Sequence, residues 1–157
     1  MKKPFATYLK NAAIHDDLGE AYLAQGDIVS AFGAFTEASR LEPHNALYLF
    51  RLAQLLYKAD MYDEAAAHAV KAVRLEPDIG AIHNLLGMIL FASGDYNGAI
   101  KAQEKALQLE PKDTVYALNV ALGYLAVGNK SKARQMAKKA LSLDPNNQDA
   151  KELLQKI

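Results

Sequence analysis

The sequence predicts an all-α solenoid of four antiparallel helix pairs. Three observations predict it: prolines at a fixed spacing, small residues recurring in the same columns, and apolar residues at helical intervals inside each unit. Pro43, Pro77, Pro111 and Pro145 lie 34 residues apart, three times running, and each closes a Leu-Glu-Pro or Leu-Asp-Pro tripeptide. A fixed period of about 20 to 50 residues marks stacked supersecondary units, none of which buries its apolar face alone. With each proline at repeat position 32, the units are 12–45, 46–79, 80–113 and 114–147. Residues 1–11 read as an N-terminal extension of the first helix, and 148–157 as a C-terminal capping helix with Ala150, Leu154 and Ile157 in first-helix phase.

Each unit reads as two helices. The first spans roughly positions 1 to 14, with apolar residues at 3, 7 and 10 or 11; in the third unit these are Ile82, Leu86, Ile89 and Leu90. Position 15 (Gly26, Asp60, Gly94, Gly128) suits a left-handed cap that stops the helix. Asp27, Asp95 and Asn129 then read as N-caps of the second helix, and Asn45, Asp78, Asp113 and Asn147 as N-caps of the next first helix. The second helix ends before the proline, which cannot continue it. Positions 8 (Gly19, Ala53, Gly87, Ala121), 20 (Ala31, Ala65, Ala99, Ala133) and 27 (Ala38, Ala72, Ala106, Ala140) are small in every unit, so the helices are expected to approach closely there.

Composition bounds the function. The chain has 157 residues, 51% of them hydrophobic, with 18 basic and 18 acidic side chains, no Cys and no Trp. It is too apolar and too balanced in charge for a disordered chain. Lack of Cys excludes disulfides and thiolate metal sites. A neutral total argues against generic phosphate or nucleic-acid binding. The start lacks the apolar core of a signal peptide. The two charge-free runs, 79–94 and 114–129, are 16 residues each and too short for a membrane span. A cytoplasmic location is expected.

Catalytic signals are absent. Gly123 to Ser131 nearly spells a phosphate loop, but Asn129 intrudes and the run leaves a helix, not a strand. His15, Asp16, Asp17 and Glu20 have metal-like spacing, yet His15 shares a column with Leu49 and so reads as packing. No nucleophile elbow exists. The expectation is no enzyme activity, no metal and no cofactor.

The pattern resembles the tetratricopeptide repeat. Unit one carries its Leu18-Gly19, Tyr22, Ala31, Phe35, Ala38 and Pro43, and unit four keeps Tyr124, Ala133, Ala140 and Pro145. The chain departs at position 4 (His15, Leu49, His83, Ala117) and position 24 (Ala69, Gln103, Ala137), which is expected to loosen the packing. The resemblance implies a right-handed superhelical solenoid whose first helices line a concave groove, and a non-catalytic scaffold or adaptor function. The groove positions carried over are Asp16 and Glu20 in unit one; Phe50, Arg51, Gln54 and Tyr57 in unit two; Asn84, Met88 and Phe91 in unit three; and Asn119, Leu122 and Leu125 in unit four. The implied partner is an amphipathic peptide or protein segment, with a basic residue facing Asp16, Asp17 and Glu20. Two alternatives stay open: a self-associating module forming a homo-oligomer, or a regulatory domain of a larger protein. The clamp for chaperone C-termini is missing, because Asp16 and Glu20 stand where it needs Lys and Asn. The second helix of unit four, with Lys130, Lys132, Arg134, Lys138 and Lys139, is a separate candidate surface for an acidic partner.

Overall fold

Residues 10–157 are described by a computed structural model, and among them the chain forms nine α-helices and no strand. They fall into two compact units, the first ending at Glu76 and the second running Pro77–Ile157. The first holds α1 (Ala12–Ala24), α2 (Ile28–Leu41), α3 (Ala46–Lys58) and α4 (Tyr62–Leu75). The second holds α5 (Gly80–Ser93), α6 (Tyr96–Leu109), α7 (Thr114–Ala126), α8 (Lys130–Leu143) and α9 (Gln148–Lys156). Each sequence repeat is one packed helix pair: α1 with α2, α3 with α4, α5 with α6, α7 with α8. The expected N-terminal extension falls mainly on residues 1–9, outside the described residues; Asn11 caps α1, which starts at Ala12.

The helix boundaries follow from local chemistry. Asn11, Asp27, Asn45, Asp95, Asp113, Asn147 and Asn129 each accept a hydrogen bond from a backbone N–H two or three residues on, a bond that stabilises a helix start by roughly 1 kcal/mol. Asp78 does not act as the expected cap: α5 begins one residue later, with Ile79 at the cap position and no side-chain bond. At position 15 the chain turns left-handed in all four units, with φ of 78° at Gly26, 58° at Asp60, 91° at Gly94 and 77° at Gly128. Asp60 adopts this conformation despite its Cβ, and its Oδ1 accepts a bond from the Tyr62 hydroxyl at 2.6 Å.

Position 20 and position 27 decide the packing. All eight alanines there are 0% exposed. Position 8 faces position 24, and the two are matched in size. Gly19 lies against the buried Phe35 ring, and a Cβ on Gly19 would collide with that ring. Gly87 lies in the same way against the Gln103 side chain. In the other two units position 8 is Ala53 or Ala121 and position 24 is Ala69 or Ala137, all four fully buried. The departures at position 24 therefore do not loosen the units: a smaller residue on the second helix is met by a larger one on the first. Gln103 has a cost of its own, since its buried Oε1 has no hydrogen-bond partner.

Gly19→Ala should destabilise the chain by about 1–3 kcal/mol through overpacking against Phe35. Combined with Phe35→Ala, it recreates the pairing of the second and fourth repeats. The double variant should be less destabilised than the sum of the two single variants, as read from urea unfolding midpoints. Strict additivity would show that the two positions do not share one space.

Candidate functional site

The predicted groove residues sit on α1, α3, α5 and α7, and each compact unit brings its own set together. In the first unit the central group is Arg51 on α3. Its Nε lies 3.2 Å from Asp16 Oδ1, and its guanidinium also pairs with the Glu20 carboxylate. The same guanidinium carbon is 5.9 Å from the centroid of the Phe35 ring. Asp16 and Glu20 are therefore held by an internal cation, and the acidic surface expected on unit one is reduced to one net charge from this trio, with Asp17 exposed beside it. Phe50, Gln54 and Tyr57 are half-buried on the same helix, and the Tyr57 ring lies 6.0 Å from that of Tyr62.

In the second unit an amide chain crosses from α7 to α5. Asn119 Nδ2 donates to Asn84 Oδ1 at 2.8 Å, and Asn84 Nδ2 approaches Met88 Sδ at 3.6 Å. Phe91 packs edge-on against Tyr96 at 5.1 Å. Next to Asn119, a cleft of about 510 Å³ opens between α7 and α9. Val115, Leu118, Leu122 and Leu125 form its apolar side, and Asp149, Glu152, Leu153 and Lys156 form the other. Leu122 is 43% exposed. The α9 residues are absent from the groove set read from the sequence. They continue it: numbering the repeat on into 148–157 puts Asp149, Glu152 and Lys156 at positions 2, 5 and 9.

His83 serves packing. His83 is buried, and its Nε2 lies 2.8 Å from the Pro77 carbonyl oxygen. Among the described residues no group of three or more His, Asp and Glu side chains is placed to hold a metal ion. No helix among them is long and apolar enough to cross a membrane.

Tetratricopeptide repeat family models match residues 10–89, 80–113 and 117–147. The chain belongs to the tetratricopeptide repeat family. Solved structures agree on the fold. MamA from Desulfovibrio magneticus RS-1 superposes with a TM-score of 0.82 at 20% identity, over 88% of this chain and 78% of that one. YrrB, described as a TPR protein with an unusual peptide-binding site, gives 0.84 at 22% identity, over 94% of this chain and 76% of that one. A chain of the Cut9–Hcn1 hetero-tetramer gives 0.83 at 23% identity, and the match spans 30% of that longer chain. No curated protein sequence matches the chain. Family and fold together support a protein-interaction scaffold, the usual task of tetratricopeptide repeats.

Burial raises the pKa of the Asp16 carboxyl above its ordinary value of 3.8, and the Arg51 guanidinium offsets this only in part. The folded chain thus holds this proton more tightly than the unfolded chain. The stability associated with it is complete below the ordinary value and is lost as pH rises through the folded one. Asp16→Asn should therefore gain on wild type as pH is raised from about 3 to about 6, read as the difference between denaturant midpoints. A difference that shrinks over that interval would mean that Arg51, not burial, dominates Asp16.

Proposed function

We propose that this tetratricopeptide repeat protein is a non-catalytic scaffold or adaptor that binds an amphipathic peptide or protein segment along the faces of its first helices. The observation that carries this reading is the cleft between α7 and α9, where exposed Leu122 and Val115 border the amide of Asn119. Contiguous exposed apolar surface of this kind marks interaction sites. The partner's apolar side chains would fill this cleft, and its main chain would meet Asn119 and Asn84. Met88 and Phe91 add half-buried apolar side chains on α5 within the same compact unit. In the first unit, Phe50, Gln54, Tyr57 and the Arg51–Asp16–Glu20 trio offer a second, more polar stretch of contact. A basic partner residue would meet exposed carboxylates at Asp149 and Glu152, neither of them ion-paired among the described residues, whereas Asp16 and Glu20 already share a guanidinium. The peptide site named for YrrB, a protein of the same fold, lends the reading support. A cytoplasmic location accords with the Cys-free composition.

Leu122→Glu places a charge in the cleft without touching the alanine columns. Wild type and Leu122→Glu, with equal helicity by circular dichroism, would be used as bait in lysate of the source organism and the captures compared by mass spectrometry. A protein held by wild type should fall about tenfold or more with the variant, since an unpaired charge facing an apolar partner group costs upward of 1.4 kcal/mol. Identical captures by both baits would remove the cleft from the mechanism.

One observation favours a second reading, self-association. Positions 3 and 7 are buried in the second unit of the repeat (Tyr48 5% and Leu52 2% exposed) and in the fourth (Tyr116 8%, Val120 0%), but Ile14 and Leu18 are 37% and 42% exposed. This face of α1 is apolar and exposed among the described residues, as suits a second copy. Concentration-dependent light scattering should then show dimers that Ile14→Lys/Leu18→Lys abolishes; a monomer at all concentrations would dismiss the second copy.

A further inference from the structure

We infer that α8 is a docking surface for an acidic protein segment, separate from the cleft and independent of it. The four second helices of the repeats share a length and a place in the fold, so each is a control for the others. Helix α2 carries one acid and one base, α4 two of each, and α6 two bases and one acid, for net charges of zero, zero and +1. Helix α8 carries five bases and no acid, a net +5 in a chain whose total is zero. The repeat architecture does not require this.

Helix stability does not require it either. Lys130 is the first residue of α8 and Lys132 lies in its first turn, where no acid is present. The N-terminal end of a helix carries positive partial charge, so cations there oppose the helix dipole. Solubility is served by interspersed charges of both signs, not by one sign on one helix. Nor are the charges consumed by neighbours: none of the five bases forms an ion pair among the described residues. Lys132 is the one with a fixed partner, its Nζ lying 3.3 Å from the Tyr124 hydroxyl and 4.8 Å from the ring centroid, while that hydroxyl donates to Glu104.

Lys130, Arg134, Lys138 and Lys139 remain; the first three are exposed at i, i+4 and i+8 on one stripe of the helix, and Lys139 beside them is half-buried. At 1.5 Å of rise per residue the stripe spans about 12 Å. Four residues of extended chain cover about 13 Å, so a short run of Asp and Glu matches it. The surroundings select a protein partner over the other polyanions. The other outward residues of α8 are Ser131, Gln135 and Ser142, all exposed, and no large apolar side chain of α8 is exposed. Interfacial membrane helices need such side chains as a wedge. No aromatic ring of α8 is available to stack on bases, because the helix contains none.

The test uses the full chain and a fluorescein-labelled peptide of eight alternating Asp and Glu residues, followed by anisotropy. Wild type should bind, and binding should weaken as salt is raised from about 50 to about 200 mM. Lys130→Glu/Arg134→Glu/Lys138→Glu should lose at least about tenfold in affinity while melting no lower than wild type, because an acid at 130, the first residue of the helix, complements its dipole and the other two sites are exposed. Should that variant lose helicity, Lys130→Gln/Arg134→Gln/Lys138→Gln carries the comparison and should bind more weakly than wild type. Equal binding of the peptide by wild type and variant would overturn the proposal. Stronger capture of wild type by phosphatidylserine vesicles or by a single-stranded oligonucleotide than by the peptide would overturn it as well, in favour of a lipid or nucleic-acid partner.

Discussion

Eight alanines without any exposed surface, two in each second helix, hold the helix pairs of this protein together. Ala31 and Ala38, and their equivalents in the later repeats, let two backbones come near enough for the remaining side chains to interlock. Everything else is arranged around that close approach. Position 8 must then be chosen to suit position 24, and the chain solves this twice with Gly opposite a large side chain and twice with Ala in both places. The family pattern at position 24 is thus replaceable, provided that the partner position changes with it.

The same close packing governs the charges. Arg51 reaches across from α3 to both carboxylates of α1 and lies near the face of Phe35, a ring fixed by its fit against Gly19. A packing constraint inside the first repeat thereby sets which acids on the groove side stay open to a partner. In the second compact unit the packing leaves the opposite result. Helix α9 covers Ala117, Val120 and Ala121 with Ala150 and Leu153, yet stands off far enough from Leu122 and Val115 to leave a cleft between them.

Interaction proteins built from repeats face a conflict between burial and access. Their first helices must bury positions 3, 7 and 10 against the preceding pair while keeping positions 2, 5 and 9 open. Helix α7 shows both faces: Tyr116 and Val120 are buried, and Val115 and Leu122 on the other side are exposed. Helix α8, by contrast, buries only alanines fully and exposes all of its polar side chains but the half-buried Lys139. Two surfaces of different chemistry, one apolar and one cationic, are the consequence within a single compact unit.

The sequence by itself determined the period, the two helices per repeat and most of their starts and stops. These are set by residues acting on their own backbone: proline lacking an N–H, glycine tolerating positive φ, and Asn or Asp accepting from the next turn. It misassigned Asp78, which lies at repeat position 33; the cap column of the first helices is position 34, and in the third repeat that column holds Ile79, which caps α5 without a side-chain bond. It also assigned the candidate groove residues to the first helix of each repeat, where the structure has them, since a repeat position dictates a helix face. Only the tertiary structure decided which of them are spent on internal partners. The Arg51 pairing, the Asn119–Asn84 bond across 35 residues and the cleft between α7 and α9 all depend on distances between helices. Those distances are fixed by side-chain volumes on two elements at once, which no single column of the repeat contains.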